Sequence, residues 1–147
     1  MRQCRYDEFV KFSPRTIDPA LLFAALSDRT RLRLLNLIEG REVCVCFFVE
    51  ILGQSQPKIS RHLAYLRRTG LVAARREGKW MHYRIAVPPD SAAGRLLHDA
   101  LVILREDKSM QHDLALLNKA CCAPTSLVSL EGAPLPVARP EAALSLR

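Results

Sequence analysis

The chain reads as a mostly helical domain carrying one β-hairpin, and three observations predict it. Apolar residues recur at helical spacing in several short segments, most clearly Ile59, Leu63 and Leu66 at i, i+4 and i+7. After Gly70 the pattern changes to two extended runs, 71–75 and 80–87, joined by Arg76, Glu77, Gly78 and Lys79. With 147 residues, 49% of them hydrophobic, and no internal repeat, the chain can bury one modest core.

The elements follow in order. Residues 1–17 mix charge with Tyr6, Phe9 and Phe12 and are expected to form an arm or short helix. An apolar stretch over 19–26 predicts a helix. Ser27 and Asp28 then cap a second, in which Leu32, Leu35 and Ile38 share a face until Gly40 ends it. The apolar segment 43–52, closed by Gly53, predicts a third helix of two to three turns. Ser55 as N-cap and Pro57 in the first turn open the fourth, and Gly70 stops it. Few residues separate these two helices, which is the connection length of a helix-turn-helix. Pro88 and Pro89 break the hairpin. Asp90 or Ser91 caps a further helix with Leu97, Leu101 and Leu104 as its stripe, and helical pattern persists, with a break, to Lys119. Beyond Cys122, four prolines (Pro124, Pro134, Pro136 and Pro140) without periodicity predict a mobile tail. The expected division is an arm at 1–17, a folded domain at 18–120, and the vicinal cysteines with the tail at 121–147.

A net charge of +7 suits a polyanionic partner, because lysines and arginines near phosphates release condensed counterions. The excess is concentrated: Lys58, Arg61, Arg67, Arg68, Arg75, Arg76, Lys79 and Arg84 face one acid, Glu77. The second helix of a helix-turn-helix lies in the major groove, where its first two turns reach base edges. Gln56 can bridge adenine, Lys58 or Arg61 can bond guanine, and Ser60 can reach a base or a phosphate. The same surface offers His62, Tyr65 and Arg68, while Arg75, Arg76 and Lys79 would sit at the hairpin tip beside a phosphate or the minor groove. Each such cation taken alone is an ordinary solvated residue; the helix spacing and hairpin together give the set its meaning.

No apolar run is long enough to span a bilayer, and the N-terminus lacks the apolar core of a signal peptide, so the expected location is the cytoplasm, with no membrane partner. In that reducing compartment five cysteines, clustered as Cys44-Val-Cys46 and Cys121-Cys122, argue for metal or redox chemistry over disulfides. Thiolates are soft ligands for soft ions. The alternative reading of Cys44 and Cys46 is a pair of small buried hydrophobes.

The run LFAALSDRTRLRLLNLI, then VCVC, SQPKISRHLAYLRRTGLV and RREGKWMHYRI, resembles the ArsR/SmtB family of metal-responsive winged-helix repressors over residues 20–108. The resemblance implies a winged helix-turn-helix, mostly α with a β-hairpin wing. It also implies a homodimer joined by its N- and C-terminal helices, with residues 91–107 as the main dimer element. Such a dimer binds a palindromic double-stranded operator without a cofactor and releases it when the inducer binds. In the arsenite-sensing branch the Cys-Val-Cys motif opens the first helix of the helix-turn-helix, and arsenite or antimonite takes three sulfurs in a pyramid. There the third cysteine follows three residues after the second, with an acidic residue directly after the pair. Here those positions are Val49 and Phe47. The third sulfur must therefore come from Cys121, Cys122 or Cys4, and the vicinal pair is the better candidate.

On a regular helix, residues i and i+2 point about 200° apart, so both sulfurs can face one ion only where the helix start is distorted or non-helical. Inducer binding is thus expected to unwind or tilt that start, and Arg41 with the helix N-terminus to favour thiolate. Rival readings are a cadmium or lead sensor using Cys4, a methylarsenite sensor needing fewer thiols, a thiol-redox repressor, and a DNA-free interaction module. A zinc site would draw on His98, Asp99, His112 and Asp113, whose spacing does not match the family's pattern. An oxidoreductase built on Cys44 and Cys46 lacks any accompanying phosphate loop, nucleophile elbow or zinc-hydrolase motif, and His62 and His82 are read as helix and wing residues.

Overall fold

The computed structural model describes residues 17–122 and 132–138. The first helix, α1 (Pro19–Leu26), opens with proline, and the Asp18 carboxylate accepts from the N–H groups of Ala20 and Leu21 at 2.8 and 3.3 Å. The next, α2 (Arg29–Ile38), is capped by Asp28, which accepts from Arg31 N–H at 2.9 Å, and its Leu34, Leu35, Leu37 and Ile38 are buried. Gly40, at φ 69°, turns the chain out of α2.

Here the structure departs from the helix expected over 43–52. Residues Arg41–Cys44 form strand β1, and helix α3 spans Val45–Leu52. A short apolar run is ambiguous by periodicity, and a distant partner decides it: Val43 and Cys44 pair antiparallel with Tyr83 and His82. Gly53 closes α3 in the left-handed region, its N–H bonded to the Val49 carbonyl at 3.1 Å. Helix α4 (Gln56–Arg68) follows, burying Ile59, Leu63 and Leu66 as the spacing predicts. Ser55 stands at its N-cap through backbone geometry, without a capping bond from its hydroxyl.

Strands β2 (Val72–Glu77) and β3 (Trp80–Ile85) form the hairpin, longer at the tip than expected, with Glu77 opposite Trp80 and Gly78 at φ 58° in the turn. Helix α5 (Ala92–Leu104) is capped by the Ser91 hydroxyl, and a side chain at Gly94 would collide with the Pro88 carbonyl. Helix α6 (Lys108–Cys122) begins on Asp107, which accepts from the N–H groups of Ser109 and Met110 at 2.8 and 3.2 Å. It is fastened to α2 by Arg33, whose guanidinium meets the buried Asp113 carboxylate through two 2.7 Å bonds, and by Asn36 donating to the Met110 carbonyl at 3.1 Å.

In the region read as a tail, residues 132–138 return to the body. Strand β4 (Val137–Ala138) pairs with Glu42 and Arg41, giving a four-stranded antiparallel order β2-β3-β1-β4. The core gathers Phe47 and Phe48 of α3 with the buried faces of α2 and α4 and with Leu117 of α6. No described helix is long and apolar enough to cross a membrane. The arm expected at 1–17 lies, but for Ile17, outside the described residues, as do 123–131 and 139–147.

Candidate functional site

Helix α3, the three residues 53–55 and helix α4 make the helix-turn-helix. Gln54 donates to the Thr30 hydroxyl at 3.4 Å, tying the turn to α2. Burial of Ile59, Leu63 and Leu66 turns the other face of α4 outward. Gln56, Lys58, Arg61 and Arg68 are exposed there, and Ser60 is half-buried. Two further candidates are partly engaged. His62 Nδ1 lies 3.5 Å from Asp28 Oδ1, and burial holds its pKa below the ordinary histidine value despite that carboxylate. Two guanidinium groups lie over the Tyr65 ring, Arg31 at 4.3 Å and Arg68 at 5.2 Å from its centroid, and the first joins α4 to α2.

The wing divides in the same way. Arg76 and Lys79 stand exposed at its tip, Arg76 donating to the Gly78 carbonyl at 3.1 Å and Lys79 resting 4.9 Å from the Trp80 ring. Arg75, expected beside them at the tip, is instead folded onto the sheet. Its Nη2 and Nε donate to Glu42 Oε1 on β1 at 2.6 and 3.0 Å, and its Nη1 donates to Glu77 at 3.1 Å. Alternation explains the difference: Arg75 pairs with His82 and shares the face that Glu42 occupies, whereas Arg76 points the other way.

The two cysteines of the Cys-Val-Cys motif straddle the β1–α3 junction. Cys44 ends the strand and caps the helix with an extended backbone (φ −70°, ψ 144°), so Cys46, one residue into α3, turns back beside it. Their sulfurs are 3.0 Å apart, the Cys46 thiol donating to Cys44. The non-helical start that would let both sulfurs face one ion is present, and what is corrected is the expectation that the start must unwind to bring them together. The strand-to-helix change has already gathered them.

That contact also divides the two acidities. The bond from Cys46, outweighing burial, lowers Cys44 to about 7, with backbone donors adding to the effect. Cys46 is pushed up by the same bond and by burial. Arg41, expected to supply this activation, donates instead to Asn118 of α6 at 3.3 Å. Through that bond the last turn of α6, with Cys121 half-buried against the core, stands on the β1 side of the fold. Among the described residues no three His, Cys, Asp or Glu side chains stand close enough together to hold a metal ion, so Cys121 is not already gathered with the pair. The side chain of Cys122, like Cys4, lies outside the described residues. Asp113, which a zinc site would have used, is committed to Arg33.

Sequence reasoning missed Glu42 at this junction, and it placed His82 on the wing without its burial beside Glu42 and Glu77. Nothing in the local pattern of 41–44 signalled them, because the strand is defined by its pairing with Tyr83 and His82.

Residues 28–74 match the model of the bacterial regulatory protein, arsR family. The chain is 47% identical over 83 residues to an arsenical resistance operon repressor of Escherichia coli, covering 56% of this chain and 71% of that protein. It is 49% identical over 71 residues to an arsenic resistance transcriptional regulator of Pseudomonas putida, covering 47% of this chain and 55% of that one. Among solved structures it resembles the homodimeric winged helix-turn-helix DNA-binding domain of a possible ArsR-family transcriptional regulator from Mycobacterium bovis. That likeness has a TM-score of 0.51 at 34% identity and covers 60% of this chain and 80% of that one.

Proposed function

From the premise that this chain belongs to the arsR family of bacterial regulatory proteins, we propose that it is an operator-binding repressor released by trivalent arsenic or antimony bound at Cys44 and Cys46. It is a winged-helix regulator and not an enzyme.

The observation that carries the ligand is the sulfur pair, 3.0 Å apart and with one thiol near neutrality. Thiolates suit a soft, thiol-seeking centre, and each arsenic–sulfur bond forms as a thiol replaces a hydroxyl on arsenic and water leaves. A pyramidal ion needs a third sulfur, for which the vicinal cysteines of α6 remain the candidates. Cys121 reaches the pair by a shift of the α6 end, which Arg41 and Asn118 already tie to β1.

The lever is α3. It packs on α4, β1, β3 and α6, so a ligand that draws the β1–α3 junction toward α6 moves the support of the reading helix. A hundredfold loss of operator affinity requires about 2.7 kcal/mol of coupling between the two sites. On the DNA side Gln56, Lys58, Ser60 and Arg61 read bases, with His62, Tyr65 and Arg68 bordering them, while Arg76 and Lys79 hold phosphate. Two such modules fit a palindrome. The exposed Leu21 and Phe23 of α1, with Val102 and Ile103 of α5, supply apolar surface for a homodimer.

The test is fluorescence anisotropy of a palindromic duplex selected from a random library, under reducing conditions. Arsenite is titrated into wild type, Cys44→Ser, Cys46→Ser and the double variant Cys121→Ser/Cys122→Ser. Release of wild type, lost in all three, is the expected result. Undiminished binding of wild type at saturating arsenite and antimonite sinks the reading.

A further inference from the structure

One face of the sheet carries a row of polar side chains from the thiol pair toward the wing tip. Cys44 and His82 are register partners, as are His82 and Arg75, so the three share a face across β1, β3 and β2. Glu42 lies two residues before Cys44 on the same face. Its carboxylate is mostly buried and takes both the Nη2 and Nε donors of Arg75 on one oxygen. Arg75 passes the contact on to Glu77, which also stands 3.1 Å from His82 Nε2, and Glu77 is the partner of Trp80 at the tip. His82 Nδ1 lies 3.9 Å from Glu42, closing the group.

We propose that Glu42 is a positioning residue that transmits occupancy of the Cys44–Cys46 pair to the wing, so that the inducer displaces the wing as well as the recognition helix. This rests on the thiol reading above. β1 is four residues long and ends on Cys44, so a sulfur drawn into a ligand carries the strand with it. A mostly buried carboxylate cannot leave its guanidinium without losing its donors, so Arg75 and strand β2 follow. Backbone pairing on this side carries β1 only as far as β3. The ion pair reaches one strand further, to β2, which β1 does not touch through its backbone.

Trp80, the one tryptophan of the chain, is a reporter already in place on the wing. The probe is phenylarsine oxide, whose arsenic takes two thiolates while its oxygen leaves as water with both thiol protons, with no change of oxidation state. It is added to the reduced full-length protein without DNA. Mass spectrometry counts bound probe and remaining thiols, and Trp80 emission reads the wing. The expected result is a Trp80 shift that saturates as Cys44 and Cys46 are consumed and is absent in Cys44→Ser. In Glu42→Gln the probe still binds and most of the shift is lost, and Glu42→Asp, which keeps the charge, restores part of it. Full retention of the shift in Glu42→Gln overturns the proposal, as does a silent Trp80 in probe-loaded wild type. Should mass spectrometry show Cys44 and Cys46 unmodified in wild type, the thiol reading itself fails and takes the proposal with it. Should Glu42→Gln not fold, Arg75→Lys, which keeps the charge but not the planar fork, decides by the same two readouts.

Discussion

Helix α4 and the β2–β3 hairpin both carry cations in the chain's most basic segment, yet they hold them in different states. On α4, Lys58 and Arg61 are exposed on a face that the buried Ile59, Leu63 and Leu66 hold outward. On the hairpin, Arg75 is bound to two carboxylates, and only beyond it, at the tip, do Arg76 and Lys79 meet solvent. Counting charge along the sequence treats these residues alike. A cation's role is set by what the fold places beside it. The helix presents its charge to a groove, whereas the wing spends part of its charge holding itself to the strand that carries Cys44.

Removing the presented charge should give the largest effect. Lys58→Ala and Arg61→Ala are each expected to weaken operator binding by about 1–3 kcal/mol, and to relax preference at the base read, with melting temperature unchanged. Anisotropy against the selected duplex and against single-base variants checks this. Equal losses on all duplexes would make these residues phosphate holders and remove the distinction from the wing.

Arg75→Ala should act differently. It leaves the mostly buried Glu42 carboxylate without its donors, at a cost of about 1–3 kcal/mol, read as a lower urea midpoint. Operator affinity of the folded fraction should change less than in Arg61→Ala. An unchanged midpoint with a large affinity loss would return Arg75 to the DNA-contacting set.

How much of this was legible follows the range of the interactions. Helices α1, α2 and α4 and the hairpin are local structures, written in apolar spacing, caps and glycines, and they fall where the sequence places them. Strand β1 was hidden because what makes 41–44 a strand is its pairing with Tyr83 and His82, and β4 because a two-residue strand has no periodicity to read. The site divides the same way. The Cys-Val-Cys spacing identified the sulfurs, but their 3.0 Å approach depends on a change of backbone between them. The Glu42–Arg75 bond joins residues 33 apart in sequence, a separation that no local pattern spans.

The smallest effect belongs to the wing tip. Arg76 and Lys79 are exposed, and their tethers within the protein, a turn carbonyl and a ring face, leave the charge in solvent. If they meet phosphate, Arg76→Ala and Lys79→Ala each remove about one counterion-releasing contact. The slope of log affinity against log salt should then become shallower by about 0.9 per substitution, with the loss shared by specific and non-specific duplexes alike. The same titration on Arg75→Ala should leave the slope of wild type, because a guanidinium already neutralised by Glu42 and Glu77 has no phosphate to release ions from. A slope that changes in Arg75→Ala and not in the tip variants would mean that the wing opens on DNA, exchanging its internal carboxylates for phosphate. The link between β1 and the wing would then be broken by operator binding itself.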